Sequence, residues 1–217
     1  MSHDPPLVVA VDGPGGVGKS TVSRRVARII GVSHLDTGAF YRAATLAVLE
    51  GQVNPEDEDA VVEVVSGVDV DQSDGVTWLD GVDVSAGIRT EEVNEVVSVV
   101  SAYRLVRERM VALQRRWVDR HENRAVVEGR DIGTVVFPQA AVKVFLDADP
   151  AVRALRRSGE TSAVTADVAA SLRRRDELDS SRAVSPLMVA DDAVVIDTTD
   201  LSIDGVVDRV LALIPGH

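Results

Sequence analysis

Near its start the chain runs Leu7-Val8-Val9-Ala10-Val11-Asp12 straight into Gly13-Pro14-Gly15-Gly16-Val17-Gly18-Lys19-Ser20-Thr21. A short, continuous apolar run that stops at glycine reads as a buried strand. After it comes the spacing Gly, four residues, Gly-Lys-Ser. Small residues there let the backbone curl until several N–H groups point at one anion. A helix expected from Lys19 to about Ile30, stopped by Gly31, adds its positive end to the same anion. In such a loop Lys19 reaches the β- and γ-phosphates of a nucleotide, and the Ser20 hydroxyl can ligate Mg²⁺. A glycine turn by itself would say little. Flanked by a strand and a helix, Gly13 to Thr21 reads as the phosphate-binding loop of an ATP-using enzyme.

The remaining chain keeps the strand–helix rhythm. Strands are expected at Ser33 to Asp36, Ala125 to Val127, Val142 to Leu146 and Ala193 to Ile196. Helices fit Ala39 to Leu49, a start at Asn54-Pro55, Thr90 to about His121, a stretch opened by Asp149-Pro150, one carrying Arg173-Arg174-Arg175, and Ser202 to Leu213. Alternation of this kind builds a parallel sheet covered by helices on both faces, an α/β three-layer sandwich. Between Val68 and Val84 the pattern changes to short polar–apolar alternation punctuated by Gly75 and Gly81. Small antiparallel strands are expected there. The small, polar residues Ser158 to Thr165 read as a loop.

Charge and composition remove several classes of function. With 23 basic against 35 acidic residues, the net charge of −12 leaves no general surface for nucleic-acid phosphates. The basic residues are nearly all Arg, the exceptions being Lys19 and Lys143. Planar guanidinium forks in an acidic protein point to an anionic small molecule held locally. The absence of cysteine excludes disulfides, thiolate zinc sites and thiol catalysis. No apolar run approaches the roughly 20 residues needed to span a bilayer, and Met1 to Pro6 has no apolar signal region. A cytoplasmic protein without nucleic-acid or membrane partners is expected.

In an open α/β sheet, ligands sit beyond the carboxyl ends of the strands. Two expected strand ends carry chemistry there: Asp36-Thr37-Gly38-Ala39-Phe40-Tyr41-Arg42, and Glu128-Gly129-Arg130-Asp131-Ile132-Gly133-Thr134. A half-buried arginine needs an anionic partner. For either one alone a structural ion pair serves as well as a substrate. Two of them beside a phosphate loop favour a second phosphate.

Val9 to Pro14, Leu35 to Ala39, Tyr41-Arg42, the run Glu128 to Pro138, and Arg182-Ala183-Val184-Ser185-Pro186-Leu187 together carry a resemblance. In order, from Val8 to about Leu213, the chain is similar to the bacterial cytidylate (CMP) kinases. The stretch Gly129 to Pro138 is the most specific part. The resemblance implies a single P-loop kinase domain over residues 1–217. Residues 7–52 and 120–217 would form the core, about 53–119 the monophosphate-binding region with its small-sheet insertion, and about 158–172 a lid. It also implies transfer of the ATP γ-phosphoryl group to CMP and dCMP with Mg²⁺, by a monomer.

Site roles follow from the same resemblance. Arg42, Arg130 and Arg182 would hold the CMP phosphate, with Arg175 close by, and Thr37 and Tyr41 would belong to the same site. Ser98, Arg107 and Asp131 would read the cytosine. Asp179 with Arg175 would meet the ribose hydroxyls. Arg153 and Arg157 fall where the family approaches ATP. Lys19, Arg130, Asp131 and Arg182 would carry the chemistry. Three positions depart from the family pattern: Thr37 stands where Ser is more frequent, Glu128 where many relatives have Asp, and the stretch between Arg157 and Arg173 is short.

Such chemistry needs no general base, because a phosphate monoester with a second pKa of about 6 is already anionic near neutral pH. His34 is the histidine nearest the expected site, and it reads as structural for that reason. Other readings are a kinase for a different monophosphate or a metabolite, a nucleotide-dependent switch, and a non-catalytic binding domain. The middle insertion and Gly129-Arg130-Asp131 argue against the first. The lack of an Asn-Lys-x-Asp run argues against the second, and intact Lys19 and Ser20 against the third.

Overall fold

A computed structural model describes residues 5–73, 75–161, 165–182 and 184–216. The backbone packs as two compact units, Met1–Leu35 with His121–His217, and Asp36–Arg120.

The first unit is built on β1 (Leu7–Asp12), β2 (Ser33–Asp36), β6 (Arg124–Glu128), β7 (Val142–Asp147) and β8 (Val194–Asp197). They form one sheet in the order β2-β6-β1-β7-β8. The central strand β1 pairs in parallel with β6 on one side and β7 on the other, so Ala10 lies beside both Val127 and Lys143. Val9, Ala10 and Val11 are fully buried. A strand sandwiched on both faces must be apolar at every position, which is why this run shows no alternation. Helices α1 (Lys19–Ile30), α6 (Pro150–Thr161), α7 (Thr165–Ser181) and α8 (Ile203–Leu211) complete the unit. Val22 and Val26 of α1 join Val206 and Val210 of α8 in the core beneath β1. Each such valine contributes about 1.5–3 kcal/mol by leaving water.

The second unit holds α2 (Thr37–Glu50), α3 (Glu58–Gly67), the antiparallel sheet β3 (Val70–Ser73), β4 (Val76–Leu79), β5 (Val82–Asp83), then α4 (Glu91–Val100) and α5 (Arg104–Arg120). The expected small sheet is present. Trp117 of α5 is buried and donates from Nε1 to the Gln72 carbonyl at 2.7 Å, tying helix to sheet. Helix α2 groups with this unit through its packing on α4, α3, α5 and β4.

Two local expectations are corrected, and one helical stretch resolves into two helices. The helix foreseen from Asn54-Pro55 starts at Glu58. Asn54 Oδ1 accepts the Glu56 N–H in a turn, and Asp57 supplies the cap by accepting the Ala60 N–H at 3.2 Å. The stretch from Thr90 to His121 is two helices, because the chain turns at Ser101–Tyr103, where the Ser101 carbonyl accepts Arg107 Nη1. Ser158–Thr161, read as the start of a loop, continues α6, and Thr165 already opens α7. Of the segment expected to form a lid, residues 162–164 lie outside the described residues.

Candidate active site

The phosphate loop has the backbone its glycines demand. Gly13, Gly16 and Gly18 all have positive φ, and Gly18 caps α1 in the left-handed region without any side-chain hydrogen bond to the helix. That cap leaves the first N–H groups of α1 to an anion rather than to a side chain. A Cβ on Gly13 would lie 2.1 Å from the Leu146 carbonyl oxygen, so only glycine lets the loop leave β1 against β7. Lys19 is buried and donates from Nζ to the Gly13 and Pro14 carbonyls at 2.8 and 2.6 Å. Its ammonium is thereby folded back over the loop it serves.

Beneath the loop, Asp12 ends β1. Its carboxylate accepts the Ile132 and Gly133 N–H groups, each at 2.8 Å. Those bonds hold the entry of a π-helical turn, Ile132–Val136, directly after Arg130-Asp131. Such wide turns often occur at functional sites. Burial pushes the Asp12 carboxyl up to about 6, against the opposing effect of its two N–H donors, and the Asp131 charge adds to the rise.

At the far end of the loop, Ser20 Oγ donates to Glu128 Oε2 at 2.9 Å, and His34 Nε2 meets Glu128 Oε1 at 3.0 Å. Glu128 is buried at the carboxyl end of β6, and His34 stands on neighbouring β2. Among the described residues no group of three or more His, Cys, Asp or Glu side chains could hold a metal ion. Ser20 and Glu128 instead offer two hard oxygens beside the phosphate loop. That fits Mg²⁺, which takes one or two protein oxygens and fills its shell with phosphate and water.

Arginines and aspartates cluster on the same unit. Arg130 Nε donates to Asp179 Oδ2 at 2.9 Å, and Arg182 Nη1 lies 3.5 Å from Asp179 Oδ1. Arg182 also donates from Nε to the Ser185 carbonyl at 2.7 Å. Burial holds the Arg175 guanidinium below the usual arginine value, and the nearby charge of Arg130 lowers it further. Arg157 acts on Arg175 in the same sense, while Asp179 and Asp176 oppose. Cations packed this closely favour an anion among them. Arg153 is buried and turned to the back of the loop, where Nη1 donates to the Gly15 carbonyl at 3.2 Å and pairs with Asp176.

In the second unit, Arg42 donates from Nη1 to Asn94 Oδ1 at 2.6 Å and to the Ile88 carbonyl at 3.2 Å. Arg107 is buried, with its guanidinium carbon 5.1 Å from the centre of the Tyr41 ring. Thr37 is buried at the first turn of α2, and Ser98 is half-buried on α4. Of the expected site residues, the structure thus brings Lys19 and Ser20 to one loop, Arg130, Arg175, Asp179 and Arg182 to one cluster, and Tyr41 with Arg107 to one stack.

The cytidylate kinase family model matches residues 9–216. The chain belongs to the cytidylate kinase family. Cytidylate kinase of Mycobacterium leprae is 50% identical over 213 residues, covering 96% of this chain and 95% of that protein. Cytidylate kinase of Corynebacterium diphtheriae is 50% identical over 217 residues, covering 96% and 94%. This chain is therefore a phosphotransferase of the kinase type. Solved structures show the fold at greater distance. A sugar kinase from Janibacter sp. superposes with a TM-score of 0.52 at 16% identity, over 96% of this chain and 94% of that one. An uncharacterized protein from Eubacterium ventriosum reaches 0.56 at 10% identity, over 98% and 100%.

Four participants in this cytidylate kinase fold escaped the sequence reading: Asp12, Asn94, Asp176 and the pairing of His34 with Glu128. A carboxylate closing a buried strand was a signal available for Asp12. Nothing local marks Asn94 as the partner of Arg42, which lies 52 positions away. The pairing of His34 with Glu128 exists only because β2 and β6 are neighbours in the sheet.

Proposed function

We propose that this cytidylate kinase transfers the γ-phosphoryl group of ATP to CMP and dCMP, giving CDP or dCDP and ADP. The observation that carries the reading is the cluster of Arg130, Arg175 and Arg182 around Asp179, on the unit that also bears the phosphate loop. A loop for a donor phosphate and a separate set of guanidiniums for an anion suit an enzyme with two phosphorylated substrates.

On the first unit, Gly13 to Thr21 cradles the phosphates of ATP, and Arg153 braces the loop from behind. Arg157 serves the ATP side. Lys19 leaves the Gly13 and Pro14 carbonyls for the transferring group and counters the charge that builds on it. Arg130 and Arg182 hold the CMP phosphate, Asp179 with Arg175 takes the ribose hydroxyls, and Asp131 reads the cytosine. On the second unit, Arg42 serves the CMP phosphate, Ser98 and Arg107 the base, and Thr37 and Tyr41 support them. The attacking CMP oxygen is already anionic near neutral pH, so no side chain has to remove a proton. Ser20 and Glu128 are the residues that would hold Mg²⁺, which supplies charge neutralisation on the β- and γ-phosphates when bound. The protein acts as a monomer in the cytoplasm, on nucleotides alone. No helix among the described residues is long and apolar enough to cross a membrane.

ATP consumption measured with CMP, dCMP, UMP, AMP, GMP and no acceptor tests the reading. Turnover should be fastest with CMP and dCMP. Turnover with AMP or GMP only, or equal turnover without an acceptor, refutes it.

A further inference from the structure

Glu128 carries its carboxylate on two methylenes, whose rotations leave that group free to swing unless it is held. The structure engages both oxygens. Oε2 accepts the Ser20 hydroxyl at 2.9 Å, and Oε1 faces His34 Nε2 at 3.0 Å. Glu128 is 3% exposed, and the side chain of His34 is 12% exposed. A carboxylate acceptor requires Nε2 of His34 to carry hydrogen, so the ring donates whether it is neutral or charged. The histidine is therefore placed to hold one oxygen of a buried carboxylate while the other remains at the phosphate loop.

We infer that His34 is a positioning residue for the metal–nucleotide side of the phosphate loop, acting through Glu128. The inference rests on the reading of Ser20 and Glu128 as the Mg²⁺-facing pair. His34 touches neither substrate nor metal. Its ring fixes the rotation of the Glu128 carboxylate, so that Oε2 is presented to Ser20 and to a cation there. Partners in this outer position, which orient a metal-facing ligand, typically change metal affinity by 10–100-fold when removed.

The test compares binding of ADP in excess Mg²⁺ with binding of ADP in EDTA, by calorimetry, for the wild type and three variants. His34→Phe keeps a ring and removes the donor. His34→Leu removes it in a smaller shape, should the phenylalanine not fold. His34→Gln restores an N–H at a similar reach. The donorless variants should lose about tenfold or more in Mg²⁺-dependent affinity while metal-free binding and the melting temperature hold. His34→Gln should recover most of the loss. Equal weakening of metal-free and Mg²⁺-bound ADP, a loss confined to the melting temperature, or no recovery with glutamine overturns the inference. The wild-type acceptor panel separates the two claims. Failure to phosphorylate CMP strikes the proposed function, whereas the paired ADP titrations report on His34 whatever the acceptor.

Discussion

Arg130 Nε donates to Asp179 Oδ2 at 2.9 Å, and Asp179 Oδ1 faces Arg182 at 3.5 Å, so one carboxylate spaces two guanidiniums that lie 52 positions apart in the chain. Arg130→Ala removes one charged partner from this set. The loss of one charge-assisted contact costs about 1.5–3 kcal/mol, a roughly ten- to hundredfold fall in kcat/KM for CMP. The KM for ATP should stay nearly constant. Steady-state kinetics with each substrate varied in turn checks this, and a fall in ATP affinity with unchanged CMP parameters would reverse the assignment.

Gly13→Ala tests the loop's exit from β1. The added Cβ would lie 2.1 Å from the Leu146 carbonyl, at a φ of 144°. Backbone cannot yield cheaply there, and the variant should lose nucleotide binding together with several kcal/mol of stability. Gly159→Ala is the matched control. It lies inside α6 with nothing within 4 Å of the added atom. That change should stabilise by about 0.5–1 kcal/mol, as alanine replaces glycine in a helix. Urea unfolding of both proteins reads the contrast.

Asp12 makes stability depend on pH in a stated direction. Its carboxyl is raised from 3.8 to about 6 in the folded protein. A raised carboxyl binds protons more tightly when folded, so its contribution is fully present below the unfolded value and is lost as pH rises through the folded one. The change amounts to something on the order of 3 kcal/mol between those limits. Asp12→Asn cannot titrate. The stability of the wild type relative to this variant should therefore fall from pH 4 to pH 7, and parallel curves would dismiss the effect.

Trp117 separates packing from hydrogen bonding in the second unit. It is 1% exposed and donates to the Gln72 carbonyl at 2.7 Å. Trp117→Ala should cost about 3–5 kcal/mol. Trp117→Phe keeps most of the ring and loses the N–H, and should cost at least the 1–3 kcal/mol of a buried carbonyl left unpaired. Denaturant midpoints of the two variants give the split, and equal midpoints would assign the whole effect to the lost donor.

Much of the fold was legible because its signals are local. The run Leu7–Asp12 is apolar throughout, the loop glycines are contiguous, and the alternation from Val68 to Val84 marks a sheet of a different kind. Boundaries were less legible where two local signals compete. Asn54-Pro55 resembles a helix start, but Asn54 is spent on a turn and the cap falls to Asp57. Polar residues from Ser158 onward resemble a loop, yet α6 runs through Thr161. A turn at Ser101–Tyr103 divides a periodic stretch, and the hydrogen bond from Arg107 to the Ser101 carbonyl belongs to the folded chain.

The sequence by itself determined that this chain carries a phosphate-binding loop and the marks of a cytidylate kinase, because those features are runs of neighbouring residues whose geometry is set by covalent spacing. Tertiary structure alone decided what holds the loop in place. His34 meets Glu128 across 94 positions, Ser20 meets it across 108, and Asp12 reaches Ile132 across 120. No pattern along the chain encodes such pairs. They exist because the sheet order sets β6 between β2 and β1, which brings strand ends together that the sequence keeps far apart.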